Sequence, residues 1–257
     1  MTRAVYAVGD VHGRLDRLDR ALALIEADGG ADADAVLLGD YVDRGPDARG
    51  VIERLIAWRA GGANRVCLTG NHDRMFARFA RDGRLDDEAI ASGATWLHPA
   101  LGGAATLRAY GVALPGADVL ERLGHDPALD DVLQDLMAAA ADAVPEAHLA
   151  FLESLPTTHV TPDQIFVHAG IRPGVPLEGQ DVEDLLWIRR AFLDDPRDHG
   201  RLVVHGHTAV GAPEHRGNRL NLDTGAGYGG PVTAAAIEGR EAWALTDGGR
   251  VPIPRRQ

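Results

Sequence analysis

Ala35-Val36-Leu37-Leu38-Gly39-Asp40-Tyr41-Val42-Asp43-Arg44-Gly45 sets an unbroken apolar run against a turn of glycine and charge. Four apolar residues closed by glycine read as a strand buried on both faces. The same arrangement flanks it. Residues 3–8 form a short apolar run ending at Gly9-Asp10, and Arg65-Val66-Cys67-Leu68 leads to Gly70-Asn71-His72-Asp73. Between these runs, Leu15, Leu18, Leu22 and Ile25, then Val51, Ile52, Leu55 and Ile56, recur at helical spacing. Gly29-Gly30 and Gly61-Gly62 stop the two helices. Strand–loop–helix units in succession predict an α/β fold with a largely parallel sheet covered by helices.

Residues 84–155 read differently. Ala- and Leu-rich helical stretches, such as Asp130–Ala143 and Glu146–Leu155, are broken by Gly93, Gly102-Gly103 and Pro115-Gly116. The expectation is one domain over 1–257, with 84–155 as a helical insertion or cap. Strands resume at Ile165–Val167, Leu202–Val204, Arg219–Leu222, Val232–Ile237 and Ala242–Leu245, and Val251–Gln257 reads as a frayed tail.

At 257 residues and 45% hydrophobic composition the chain can build a sizeable core. Its net charge of −12 opposes nucleic-acid phosphate and anionic lipid, so neither is expected as a partner. A lone cysteine, Cys67 inside a strand, excludes an intrachain disulfide. The N-terminal residues lack the apolar run of a signal peptide, and no stretch is long enough to span a membrane. A cytoplasmic location is the expectation.

Chemistry concentrates where strands end. Besides the loops holding Asp10-Val11-His12, Asp40 to Arg44, and Asn71-His72, two later strands end at Val167-His168 and at Val204-His205-Gly206-His207. Ligands of open α/β sheets bind at the carboxyl ends of strands, so five loops can serve one place. Asp10 and His12 are two apart and share a side in extended backbone. Asp40 has two oxygens and can bridge two ions, Asn71 offers a neutral oxygen, and His168 and His207 offer imidazoles. A mixed nitrogen and oxygen set without thiolate suits Mn²⁺, Fe or Zn²⁺ better than Ca²⁺ or Cu⁺; two divalent ions are expected, Mn²⁺ foremost. Two ions about 3.5–4 Å apart on a bridging carboxylate are the arrangement for in-line phosphoryl displacement by hydroxide. His72 could protonate the leaving oxygen, Asp43 could orient that imidazole, and Arg44 could contact phosphate with two prongs.

This series of loops resembles the calcineurin-like metallophosphoesterases. The intact Gly39-Asp40-Tyr41-Val42-Asp43-Arg44-Gly45 resembles the PPP-type serine/threonine protein phosphatases in particular. The resemblance runs from Gly9 to about Gly230 and is weakest over 84–155. It implies a β-sandwich of mixed sheets flanked by helices, with a helical insertion. It assigns Asp10, His12 and Asp40 to one metal, and Asp40, Asn71, His168 and His207 to a second. It makes His72 with Asp43 the acid pair and Arg44 a phosphate ligand. A second phosphate-binding arginine is expected within Leu185-Leu186-Trp187-Ile188-Arg189-Arg190, with Arg189 preferred to Arg190. The eukaryotic Ser-Ala-Pro-Asn-Tyr loop is replaced by Asn221-Leu222-Asp223-Thr224-Gly225, as in bacterial and phage-like members.

Each assignment has a plainer reading. Asp10 and Asp40 precede helices and alone would read as N-caps; the ordered company of His12, Asn71, His168 and His207 favours ligands. Asp43 could be a solvated turn, Arg44 a surface ion pair and His72 structural. His205 could ligate in place of His207 or support it. Tyr228 could reach the site rim. Trp96 and Trp187 read as core. His98, His125, His148, His159, His199 and His215 lie outside any motif and read as surface or packing residues. The expected activity is dephosphorylation of phosphorylated protein or a small phosphoester. The alternatives are symmetrical dinucleoside polyphosphate hydrolysis, whose enzymes typically carry Ala in place of Asp43 or Lys in place of Arg44, and a non-catalytic metal-binding protein.

Overall fold

The computed structural model describes residues 3–62, 64–90 and 92–256. The parallel units open the chain as expected: β1 (Val5–Val8), α1 (Leu15–Gly29), β2 (Asp34–Leu37), α2 (Ala48–Ala60), β3 (Arg65–Cys67) and α3 (Asn71–Asp82). Four helices follow, α4 (Gly103–Ala109), α5 (Ala117–Arg122), α6 (Asp130–Ala143) and α7 (Glu146–Glu153). The second half holds β4 (Thr158–Val160), β5 (Gln164–Val167), α8 (Val182–Trp187), α9 (Arg190–Leu193), β6 (Leu202–His205), β7 (Glu214–His215) and β8 (Arg219–Asn221). It ends with β9 (Ala234–Glu238), β10 (Glu241–Thr246) and β11 (Gly249–Pro252).

The strands form two mixed sheets flanked by helices, as the family resemblance implies, where the alternation of strands and helices alone suggests a largely parallel sheet. One has the order β11-β10-β9-β1-β2-β3, the other β4-β5-β6-β8-β7. β1, β2 and β3 are parallel, as are β5, β6 and β8, and the outer strands join antiparallel. Alternate side chains of β1 and β2 show why. Ala7, Val36 and Leu38 face Phe166, Leu202 and Val204 of the other sheet, while Tyr6, Val8, Ala35 and Leu37 face the helices. The outer face of β5 and β6 buries Val167 and Val203 against Leu185, Ile188 and Phe192. A strand covered on both faces is continuously apolar whether a helix or a second sheet covers it, so its composition does not name the cover. Each such large aliphatic side chain stabilises the fold by about 1.5–3 kcal/mol.

α4, α6 and α7 pack on α2 and α3. The tail is not frayed. β11 pairs with β10, Ile253 is buried, and Arg256 N donates to the His215 carbonyl at 2.7 Å. Gln257, the last residue of that expected tail, lies outside the described residues, as do Met1 and Thr2. No described helix is long and apolar enough to cross a membrane.

Candidate active site

The carboxyl ends of both parallel strand sets meet. His168, after β5, binds through Nδ1 to the Leu38 carbonyl beyond β2 at 2.9 Å. His207 N, after β6, donates to both Asp10 carboxylate oxygens at 3.2 Å. Gly70 and Gly206 permit this approach, because a Cβ at either would overlap the carboxylate of Asp40 or Asp10 respectively.

Two groups of ligand-type side chains converge around Asp40. One joins His12, Asp40 and His72, the other Asp40, His168 and His207, with the ligand atoms of each group within 4.8 Å of one another. Asp40 Oδ2 lies 3.6 Å from His12 Nε2, and its Oδ1 lies 3.4 Å from His168 Nε2. Asn71 Oδ1 stands 2.9 Å from both His168 Nε2 and His207 Nδ1. The ring orientations suit cation binding. His12 Nδ1 donates to the Val42 carbonyl at 2.8 Å, as His168 Nδ1 does to Leu38, leaving Nε2 of each as a lone pair. Burial pushes His12, His168 and His207 below the usual imidazole range, which favours the neutral rings. Burial, then the carboxylates of Asp223 and Asp40, push Asp10 well above the carboxylate range. Buried carboxylates facing neutral imidazoles fit a site whose charge is completed by cations.

Strain marks the same residues. Among the described residues, the non-glycines with positive φ are His12, Asp40, Asp43, Arg44 and His207, at +47° to +69°. Such backbone costs about 1–3 kcal/mol per residue and persists where surroundings fix it.

His72 and Asp43 form a buried pair, with Nδ1 to Oδ2 at 2.6 Å. Arg44 is half-buried. Its Nη1 lies 2.6 Å from His12 Nε2, and its guanidinium stacks 4.9 Å from the ring of Tyr228. Tyr228, 72% exposed, thus stands at the rim. Arg189 is exposed, with Nη1 3.5 Å from Thr208 Oγ1, and its charge depresses His207. Arg190 instead opens α9. His205 stands apart from the convergent groups: its ring packs on Phe192 at 5.2 Å, and burial pushes its pKa down to about 3. His148 and His215 are packing residues, bound to the Tyr110 hydroxyl and the Arg240 carbonyl.

The structure adds residues the motifs did not assign. Asp73 accepts from the backbone N–H groups of Asp40, Tyr41 and Gly70 at 2.8–2.9 Å, fixing the strained Asp40 loop. Burial, then the Asp40 carboxylate, push Asp73 up to about 8. An acid at the third position of a helix with a glycine cap is a visible capping signal. Asp223 follows parallel strand β8, so the strand-end rule reaches it too. Trp96 and Thr106 both hydrogen-bond Asp43 and carry no local signal.

Known proteins similar to this chain share one family and differ in substrate. Residues 4–224 match the sequence profile of calcineurin-like phosphoesterases. Serine/threonine-protein phosphatase 1 of Salmonella typhimurium is 26% identical over 245 residues, spanning 92% of this chain and 93% of that one. A symmetrical bis(5'-nucleosyl)-tetraphosphatase of Methylococcus capsulatus is 30% identical over 170 residues, 66% of this chain and 44% of that one. A solved structure described as a candidate diadenosine tetraphosphatase superimposes with a TM-score of 0.60 at 20% identity, covering 95% of this chain and 94% of that one, and shares the fold.

Proposed function

We propose, from the premise that this chain belongs to the calcineurin-like phosphoesterase family and hydrolyses phosphoric esters, that its substrates are phosphomonoesters with a basic leaving oxygen, phosphoserine and phosphothreonine of proteins foremost. The observation that supports this reading is the buried His72–Asp43 pair. An alkoxide is a poor leaving group unless a proton reaches it as the P–O bond breaks, whereas a phosphate leaving group departs with little help.

Asp10, His12 and Asp40 would hold one divalent ion, and Asp40, Asn71, His168 and His207 the other, a donor set that suits Mn²⁺, Fe or Zn²⁺; His12 with Asp40, and Asp40 with His168 and His207, fall in the convergent groups, while Asp10 joins through the His207 N–H and Asn71 through both later imidazoles. When bound, such ions polarise phosphoryl oxygens and lower the pKa of water so that hydroxide forms near neutral pH. The other roles belong to the chain. Asp40, with one oxygen toward His12 and the other toward His168, would contribute to both ion sites. Arg44 and Arg189 bind and orient the phosphoryl oxygens. His72 presents the ring nitrogen opposite Nδ1 to the leaving oxygen and gives it a proton, while Asp43 holds Nδ1. The whole chain acts as one domain, with 84–155 a helical insertion.

A second reading, symmetrical cleavage of dinucleoside tetraphosphates, draws support from the 30% identity to the Methylococcus capsulatus enzyme. The His72→Asn variant separates the two. A phosphoserine peptide should lose about 10²–10⁴-fold in kcat, while p-nitrophenyl phosphate, whose leaving group needs little proton, should lose much less. Equal losses on both substrates remove His72 from the acid role.

A further inference from the structure

We infer that the segment from Trp96 to Thr106 is a positioning clamp for the acid pair, and that this is a task of the insertion in catalysis. The inference rests on the reading of His72 and Asp43 given above. Trp96 Nε1 donates at 2.8 Å to Asp43 Oδ2, the same oxygen that faces His72 Nδ1. The Thr106 hydroxyl donates to Asp43 Oδ1 at 2.6 Å and accepts from Asp43 N at 2.8 Å. The Gly102 carbonyl accepts from Arg44 N at 3.2 Å. Trp96, Thr106 and Asp43 are all fully buried, each at 0% exposure.

These contacts meet at a specific need. Asp43 and Arg44 are consecutive non-glycine residues in left-handed backbone, at φ +69° and +64°. Nothing in their own side chains favours that conformation twice in succession, so it must be fixed from outside. The Thr106 hydroxyl and the Gly102 carbonyl take the two N–H groups that this turn presents. Gly102 itself sits at φ +86°, where a Cβ would lie 2.7 Å from Arg44 Cγ and 2.8 Å from Arg44 N. With Oδ1 held by Thr106 and Oδ2 shared by Trp96 and His72, the carboxylate has a single orientation, and the imidazole inherits it. Trp96 and Thr106 act through Asp43.

The test uses the full-length, Mn²⁺-loaded protein and kinetics on a phosphoserine peptide and on p-nitrophenyl phosphate. Thr106→Val keeps the shape and removes both hydroxyl contacts; Thr106→Ser restores them. Thr106→Val should lower kcat on the peptide by about tenfold, a fraction of the acid's contribution, with KM little changed and p-nitrophenyl phosphate little affected. Thr106→Ser should return kcat on the peptide to near the unaltered level. In an Asp43→Asn background, Thr106→Val should cause no further leaving-group-dependent loss. Trp96→Phe, which keeps a buried ring and removes the N–H, should repeat the pattern and provides a second arm if the valine variant misfolds. Equal behaviour of valine and serine at 106, equal losses on both substrates, or a full additional loss in the Asp43→Asn background overturns the clamp. His72→Asn, run alongside, separates the two claims. Without leaving-group dependence in that variant, the acid pair falls and the clamp with it. Dependence there but not in Thr106→Val or Trp96→Phe overturns the clamp alone.

Discussion

Asn71 Oδ1 stands 2.9 Å from His168 Nε2, and the two atoms meet as acceptors. His168 spends its Nδ1 proton on the Leu38 carbonyl, and burial holds the ring neutral, so Nε2 carries a lone pair. Two lone pairs at that separation repel, and a cation between them turns repulsion into coordination. Asp40 Oδ1, 3.4 Å from the same nitrogen, belongs to the same convergence.

Metal content should follow this geometry. The purified, Mn²⁺-loaded chain should bind two ions, and Asn71→Ala should bind one tightly, as read by elemental analysis after desalting. Excess chelator should abolish activity while circular dichroism persists, because the apolar clusters that hold the fold contain none of the proposed ligand side chains. Two tightly held ions in Asn71→Ala, or full activity in chelator, would contradict the assignment.

Arg44→Ala and Arg189→Ala should each lower kcat/KM on phosphomonoesters by an amount equivalent to about 2–4 kcal/mol, since each loses a charge-assisted contact that strengthens as charge develops on the phosphoryl oxygens. Metal content should be unchanged. Arg190→Ala, at the start of α9, should be near silent. A silent Arg189→Ala with a damaging Arg190→Ala would move the second arginine by one position.

Glycine substitutions should rank by what a Cβ meets. At Gly39, φ +101°, it would lie 2.6 Å from Gly70 N and 2.8 Å from Gly70 Cα, which are rigid backbone. At Gly111, φ +83°, it meets nothing within 4 Å. Gly111→Ala should cost about 1–2 kcal/mol for the left-handed backbone alone, and Gly39→Ala distinctly more. Urea denaturation of both variants reads the difference directly, and equal costs would refute the argument.

Cys67 should be inert in the folded protein. Burial pushes its thiol up to about 12, so the reactive thiolate is scarce until pH approaches that value. Iodoacetamide at pH 8 should leave the native chain unmodified and fully active, and should label it once denatured. Loss of activity on native labelling would point to a cysteine role the site does not contain.

The strand–loop–helix reading located every strand that delivers a site residue, because a doubly buried strand and a glycine–carboxylate turn are both local signals. What lay beyond local signals was partnership. The apolar runs of β2 and β6 look alike whether helix or sheet covers them, so the second sheet was not visible in Val36 or Val204 themselves. The pairing of Val251 in β11 depends on β10 across a turn, and the two prolines of the tail disguised it. The convergence of Asp10, His12, Asp40, Asn71, His168 and His207 was legible because each follows a strand end. Thr106 and Trp96 were not, because their contact with Asp43 spans 63 and 53 residues and leaves no trace in spacing.

The central claim is that the site serves a phosphomonoester with a basic leaving oxygen. Its most direct test is kcat/KM of the unaltered, Mn²⁺-loaded protein on phosphoserine and phosphothreonine peptides against diadenosine tetraphosphate under the same conditions. The account predicts that the phosphopeptides are the better substrates. Rapid symmetrical cleavage of the tetraphosphate, with the phosphopeptides scarcely turned over, would contradict it.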